Sequence, residues 1–390
     1  MREIILLGAT GSIGKQALDL LRYNSDYKLV AVSFNSNYKL IEEELLYFDS
    51  LKTIGIIDKE KGKEFSLIHP KYNVITGTET NITLLNIFPK AVIINAIMGN
   101  DGLESTLTAL NNNQDLLLSN KESLVIGSSL YKKCLEKSKS KVYPIDSEHV
   151  GLAKLLNHLK EDNIDKSNIN KLIVTASGGS LRDKTIDEIK KVTVEDVLKH
   201  PTWKMSNKIT VDSATLINKA YEVIEASVLF DFDIDKVDAI ICKESLVHAE
   251  VIYNNDEKIV EFSPCDMKVA IAYALSFGQN KMHNIWSGDL DKLNSLHFES
   301  IDDNKYPLFK YTINFYKEYS NYGMIYYNQL DTVLIDAFIN KKIYFLDIEK
   351  GLKKLKDYIQ KGKEISLASL KNIEEDSKKV SSQILDTLIK

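Results

Sequence analysis

A chain of 390 residues with 44% hydrophobic and 27% charged side chains has the composition of a soluble globular protein with material for two or three domains, and it contains no apolar run long enough to span a bilayer. Its net charge of −5, with lysines spread along the whole length, leaves no basic stripe to neutralise nucleic-acid phosphates, so any anionic ligand must be held by a local site. Cys134, Cys242 and Cys265 show neither CxxC nor His-rich spacing, which argues against a disulfide framework and a structural zinc site, and Met1–Leu7 lacks the basic segment and cleavage site of a signal peptide; a cytoplasmic protein is expected.

Residues 3–8 form an apolar run that ends in Gly8-Ala9-Thr10-Gly11-Ser12-Ile13-Gly14, and Ala17, Leu18, Leu20 and Leu21 then follow at helical spacing. This predicts a strand, a glycine turn and a helix, where close backbone approach and the helix N-terminus suit a pyrophosphate; a tight turn without a ligand is the plainer alternative. Further apolar runs at Leu29–Val32, Thr53–Ile57, Ala91–Ile97, Asp115–Ser119 and Lys141–Ile145, separated by crossover-length segments, predict a Rossmann-like doubly wound parallel sheet. NAD-binding sheets usually carry an acid at the second-strand tip, whereas here the tip reads Ser33-Phe34-Asn35-Ser36-Asn37-Tyr38-Lys39. The missing carboxylate favours NADP, with Asn37 and Lys39 as partners, although Lys39 could equally begin a solvated helix.

Two more strand ends carry polar clusters. Asn120-Lys121-Glu122-Ser123 places an amide, a cation and an acid at the carboxyl edge of the sheet, with a helix cap as the plainer alternative. In Asp146-Ser147-Glu148-His149 the two acids stand at i and i+2, so on an extended chain they can converge on one cation.

After Glu148 the pattern changes to a helix near Gly151–Leu159, a strand at Lys171–Thr175, and Ser177-Gly178-Gly179-Ser180, whose glycines can turn backbone N–H groups inward as a phosphate nest. His200-Pro201-Thr202-Trp203 sets a tryptophan in a polar loop, as a lid or as a packing anchor. A long helical stretch from about Ala214 to Phe230 puts Asn218, Glu222 and Glu225 on one face; either acid could complete a metal shell, and either could be an ordinary solvated acid. Strand-like runs at Ala239–Ile241, Val247–Tyr253 and Lys258–Phe262 predict a second sheet in a separate α+β domain, and helical periodicity dominates from about residue 300. The expected organisation is a cofactor domain over 1–148, a catalytic domain over 149–280, a linker over 281–299 and a helical domain over 300–390.

Taken together, the segments Gly8 to Gly14, Asn120 to Ser123, Asp146 to His149, Ser177-Gly178-Gly179, His200 to Trp203 and Val211-Asp212-Ser213-Ala214-Thr215 through Asn218-Lys219 to Glu222 resemble the 1-deoxy-D-xylulose 5-phosphate reductoisomerase family over the whole length. The resemblance implies a homodimer that uses NADPH and Mg2+ or Mn2+. It implies Asp146, Glu148 and Glu222 as metal ligands; Ser177, Ser213, Asn218 and Lys219 at the substrate phosphate; Lys121, Ser147 and His200 on the rest of the substrate; and Trp203 in a lid. The cofactor would lie on Thr10, Gly11, Ser12 and Ile13, on Asn35, Ser36 and Asn37, and on Asn120 and Glu122, with Ser206 where the family commonly has a cofactor-contacting glycine. The family's Gly-Lys-Asn at the second-strand tip is Asn35-Ser36-Asn37 here, Ser180-Leu181 replaces a Pro-Phe, and Asn328-Gln329-Leu330-Asp331-Thr332 replaces the usual Asn-Ala-Ala-Asn-Glu. The residues by themselves also fit a metal-dependent dehydrogenase without rearrangement, or a dinucleotide-sensing regulator.

Overall fold

The computed structural model describes residues 1–99, 101–161, 164–203, 205–279 and 295–389. They divide into two compact units, one of Met1–Ser123, Tyr131–Val150 and the described part of Asp266–Ser287, the other of Leu124–Leu130, Gly151–Cys265 and the described part of Gly288–Lys390.

The first unit is built on seven parallel strands, β1 (Arg2–Leu7), β2 (Tyr27–Phe34), β3 (Thr53–Ile56), β4 (Asn73–Thr76), β5 (Val92–Asn95), β6 (Leu116–Leu118) and β7 (Val142–Pro144), in the order β4-β3-β2-β1-β5-β6-β7. The central strands are near-continuous Ile, Leu and Val, as a sheet covered by helices on both faces requires, and Ile4 to Leu7 and Ile93 and Ile94 are fully buried. Strand order reverses between β1 and β5, which opens a crevice beyond their carboxyl ends. Helix α1 (Ser12–Arg22) starts there and buries Ala17, Leu18 and Leu21 against the sheet. The sequence reading missed β4, a half-exposed strand with only Val74 and Ile75 as apolar residues.

The second unit holds β8 (Ile169–Ala176), β9 (Val237–Cys242), β10 (Val247–Tyr253), β11 (Lys258–Phe262) and β12 (Phe298–Ser300) in the order β11-β10-β8-β9-β12; β8 and β9 are parallel and the other pairs antiparallel. Helix α2 (Ser147–Glu161) contributes Leu152, Leu155, Leu156 and Leu159 to the core of this unit. The expected helix over Ala214–Phe230 is two helices, α3 (Asn207–Thr215) and α4 (Ile217–Leu229), because Leu216 adopts a left-handed φ of 59° and breaks the ladder between them. Helix α5 (Pro307–Ile339) is likewise interrupted at Ser320, where φ is 52°.

The two units set boundaries different from those drawn on the sequence. The helix Met267–Leu275 buries Ile271, Ala274 and Leu275 in the core of the parallel sheet, so its segment belongs with the first unit. Tyr306 and Phe309 of the C-terminal region enter the core of the second sheet, so that region shares a unit with residues 151–265 rather than standing alone. Of the expected linker, 281–294 lies outside the described residues, and Phe298 and Glu299 are paired in β12.

Candidate active site

At the first βα junction the N–H groups of Gly8 and Ala9 donate to the Ser33 carbonyl at 2.9 Å each, folding the turn back onto β2. A Cβ on Gly14 would overlap the Gly8 carbonyl oxygen, so this position demands glycine for the helix to start so close to the strand. Gly11 is the N-cap of α1; no side chain caps the helix and no acid lies in its first turn, which leaves its leading N–H groups and positive dipole end for an anion. Gly11 and Ser12 are exposed there, Thr10 and Ile13 half-buried. At the β2 tip Asn35 and Asn37 are exposed and Ser36 is half-buried, while Lys39 sits exposed in the helix Tyr38–Glu44.

Asn120 is a structural tie. Its amide Nδ2 donates to the carbonyls of Ile97 and Gly99 at 2.9 and 2.8 Å and to Glu122 Oε2 at 3.0 Å, while its Oδ1 accepts from the N–H of Ser123 at 2.8 Å. The buried amide thus fixes the loop after β5 to the loop after β6 and caps the helix Lys121–Val125.

Strands β6 and β7 pair in register, Leu118 against Pro144, so the residues just beyond each end are neighbours. The Lys121 ammonium reaches Asp146 Oδ2 at 2.7 Å, both side chains being about one-fifth exposed at 19%. Ser147 Oγ donates to Glu148 Oε2 at 2.6 Å, and the Glu148 N–H lies 3.4 Å from Asp146 Oδ1. Asp146, Ser147 and Glu148 are half-buried; His149 is buried, its Nδ1 3.8 Å from Asp146 Oδ1. The chain turns from strand to helix at this point, so the two acids flank the start of α2 and do not alternate along an extended strand.

In the second unit, Ser177 follows β8, and Gly178 and Gly179 have φ of 81° and 68°. A Cβ on Gly179 would overlap the Ser213 backbone, which brings the glycine turn against the end of α3. Ser177 Oγ accepts from the Gly179 N–H at 3.2 Å and lies 3.0 Å from His200 Nε2. His200 Nδ1 accepts from the N–H groups of Trp203 and Thr202 at 2.9 and 3.2 Å, so the ring proton resides on Nε2 and is donated to Ser177. Burial, with the nearby Arg182 charge, pushes the imidazole down to about 4, which keeps it neutral at physiological pH. With both acceptor positions engaged, the Ser177 hydroxyl proton is left to donate to a ligand oxygen.

From 211 to 220 only Ser213 and Asn218 escape full burial, one at the end of α3 and the other at the start of α4. The Leu216 break is what places a hydroxyl and a fresh helix N-terminus side by side. Asn218 Nδ2 donates to Glu222 Oε1 at 2.6 Å, and the buried Lys219 ammonium donates to Glu222 Oε2. Glu222 and Glu225 are both buried, so the solvated-face alternative fails for each. Ser206 caps α3, its Oγ accepting from the Ile209 N–H at 3.4 Å, and Trp203 is half-buried in the loop before it.

Three family models match in succession: 1-deoxy-D-xylulose 5-phosphate reductoisomerase over residues 4–128, the C-terminal domain of that enzyme over 142–230, and a further DXP reductoisomerase C-terminal domain over 262–380. The reductoisomerase of Bacillus subtilis (strain 168) is 35% identical over 99% of this chain and 100% of its own, and that of Lysinibacillus sphaericus (strain C3-41) is 34% identical over 99% of both. The chain belongs to the 1-deoxy-D-xylulose 5-phosphate reductoisomerase family. A solved reductoisomerase in complex with NADPH, fosmidomycin and magnesium superposes with a TM-score of 0.89 at 28% identity, covering 99% of this chain and 98% of that one. The enzyme from Zymomonas mobilis in complex with NADPH gives the same TM-score of 0.89 and identity of 28%, over 99% and 100% of the two chains. Rossmann-like sheet, second sheet and helical C-terminal region are therefore the fold of the family.

Arg182 was missed on the sequence. Its Nη1 donates to the carbonyls of Ser177 at 3.1 Å and Lys243 at 2.7 Å, bracing the glycine turn from behind. A signal was available: of 50 basic residues only Arg2, Arg22 and Arg182 are arginine, and a chain that otherwise uses lysine retains the planar fork where two acceptors must be held at once.

Proposed function

We propose that Asp146, Glu148 and Glu222 hold one Mg2+ or Mn2+, that Ser177, Ser213, Asn218 and Lys219 hold the phosphate of 1-deoxy-D-xylulose 5-phosphate, and that Lys121, Ser147 and His200 touch the rest of that substrate. As a member of its family the chain is an NADPH- and metal-dependent oxidoreductase that rearranges and reduces this sugar phosphate to 2-C-methyl-D-erythritol 4-phosphate. The reading further takes the enzyme as a cytoplasmic homodimer; among the described residues no helix is long and apolar enough to cross a membrane.

The observation that carries the metal assignment is the donor set. Among the described residues, Asp146, Glu148 and Glu222 are the acids grouped so as to be able to hold a metal ion, and three carboxylates are the hard donors that Mg2+ and Mn2+ prefer. Lysines accompany two of them, Lys121 at Asp146 and Lys219 at Glu222. When bound, the cation supplies Lewis acidity at the substrate carbonyl and its neighbouring hydroxyl.

The chain's own residues do the rest. Ser177 donates its free proton to the phosphate, Lys219 supplies charge, and Ser213 and Asn218 present the accessible polar atoms at the α3–α4 break. Neutral His200 offers a donor without adding charge, and Trp203 in the adjoining loop shields the reacting end from water. NADPH lies on the exposed turn Thr10 to Ile13 at the start of α1 and on Asn35, Ser36 and Asn37, with Glu122 and Ser206 as further contacts; Asn120 acts by fixing the Ile97–Gly99 loop. Tying down the phosphate converts remote binding energy into orientation of the reacting carbons.

The test is oxidation of NADPH by 1-deoxy-D-xylulose 5-phosphate, with and without Mg2+ or Mn2+ and repeated with NADH. The expected result is metal-dependent oxidation of NADPH, and the absence of metal-dependent oxidation of either nucleotide would overturn the reading.

A further inference from the structure

Three charged groups of the second unit lie outside the chemistry described above. The Lys208 ammonium, on α3, donates to Asp212 Oδ2 at 2.8 Å one turn along the same helix and to Asp331 Oδ2 at 2.6 Å on α5. Asp331 is fully buried and Asp212 nearly so, at 0% and 5% exposure. Two carboxylates thus face one ammonium in an interior where unbalanced charge is costly, and the second oxygen of each acid, Asp212 Oδ1 and Asp331 Oδ1, is buried without a hydrogen-bond partner.

We propose that Lys208, Asp212 and Asp331 form a clamp that carries one proton on its pair of acids and, in that protonated and electrically neutral state, seats α3 on α5 so that Ser213 is held in its phosphate-binding position. Lys208 and Asp331 are then positioning residues that act through the residue following Asp212. That last step rests on the reading of Ser213 as a phosphate anchor; the proton does not.

The environment fits. Burial and the Asp331 charge push the Asp212 carboxyl up to about 8, with Lys208 pulling in the other direction, while the two acids hold the ammonium above its ordinary range. From α5 Tyr327 also faces the pair; its buried hydroxyl bonds to Thr312 at 2.7 Å, and burial raises it well above its usual range. In the helix Val194–Val197, which also packs on α3, Glu195 is engaged with Lys341 and Asp196 with Thr193. On α4 the buried charges are Lys219, Glu222 and Glu225, with Lys219 bound to Glu222.

Because the folded chain binds this proton more tightly than an unfolded one, whose aspartate titrates near 3.8, its contribution to stability is complete below that value and is lost as pH rises toward about 8. The experiment follows Tm and the KM for 1-deoxy-D-xylulose 5-phosphate between pH 5.5 and 9 in the metal-loaded enzyme, for wild type, Asp331→Asn, Asp212→Asn and the double variant. Wild type is expected to lose roughly 3–6 °C and to raise KM about threefold or more across the range, with kcat changing less. Either single amide leaves one acid for one ammonium and flattens both trends; the double amide strands Lys208 and lowers Tm at every pH. Equal pH trends in wild type and both single variants overturn the clamp. A Tm trend without a KM trend overturns its positioning role if Ser213→Ala raises KM, and traces the failure to the Ser213 assignment if Ser213→Ala does not.

Discussion

Both units place a glycine-rich turn after a buried strand, and on the proposed reading the two turns hold an anion by different means. The turn from Gly8 to Gly14 runs directly into the eleven-residue helix α1, with no capping side chain, so its attraction for a phosphate comes from backbone N–H groups and a helix dipole. The turn at Ser177 to Ser180 runs into further turns before the short helix Ile186–Ile189 begins; its donors are side chains, with the Ser177 hydroxyl oriented by neutral His200 and the backbone braced by Arg182. A backbone site tolerates changes of side chain but not an added Cβ, whereas a side-chain site fails when single atoms are removed.

That contrast can be broken in a definite order. Gly14→Ala forces a Cβ onto the Gly8 carbonyl and costs about 2–3 kcal/mol of overpacking where α1 meets the turn. It should raise the KM for NADPH on the order of 100-fold and lower Tm, with less effect on the KM for the sugar phosphate. Ser177→Ala removes one hydrogen bond to a charged ligand, about 1.5–2 kcal/mol, and should raise the KM for 1-deoxy-D-xylulose 5-phosphate roughly 10- to 30-fold with NADPH unaffected. Loss of NADPH affinity in Ser177→Ala, or a Gly14→Ala enzyme that behaves as wild type, would show that the two turns are not divided in this way. The smallest effect belongs to Ser36→Lys, which places a cation at the half-buried position where the resemblance implies a lysine. A partly exposed, screened pair of this kind is worth up to about 1 kcal/mol, so kcat/KM for NADPH over NADH should rise roughly three- to fivefold at low salt and less at high salt.

Legibility followed local signal. The β1-turn-α1 unit was readable because apolar run, glycines and helical spacing all lie within 22 residues. The polar clusters at Asn120 and Asp146 were readable as strand ends, but their pairing through Lys121 was not, since it depends on β6 and β7 being adjacent and in register. The break at Leu216 left no mark, because apolar residues continue through it at helical spacing and only the backbone reveals the left-handed residue. Glu222 could not be told from Glu225 by spacing, and burial does not separate them either, both being inside; the resemblance to the family made that choice. Asp331 joins Lys208 and Asp212 across 123 positions of sequence, a relation no local pattern encodes.

The most direct test of the metal assignment compares the two acids that spacing left equivalent. The concentration of Mn2+ giving half-maximal NADPH oxidation should be measured for wild type, Glu222→Gln and Glu225→Gln at saturating substrate. Loss of a ligand should exceed the roughly 10- to 100-fold effects of altering a ligand's support, so Glu222→Gln is expected to need at least about 100-fold more Mn2+ or to show no turnover, with Glu225→Gln within about tenfold of wild type. Equal shifts in the two variants, or a larger one in Glu225→Gln, would contradict Glu222 as the third ligand.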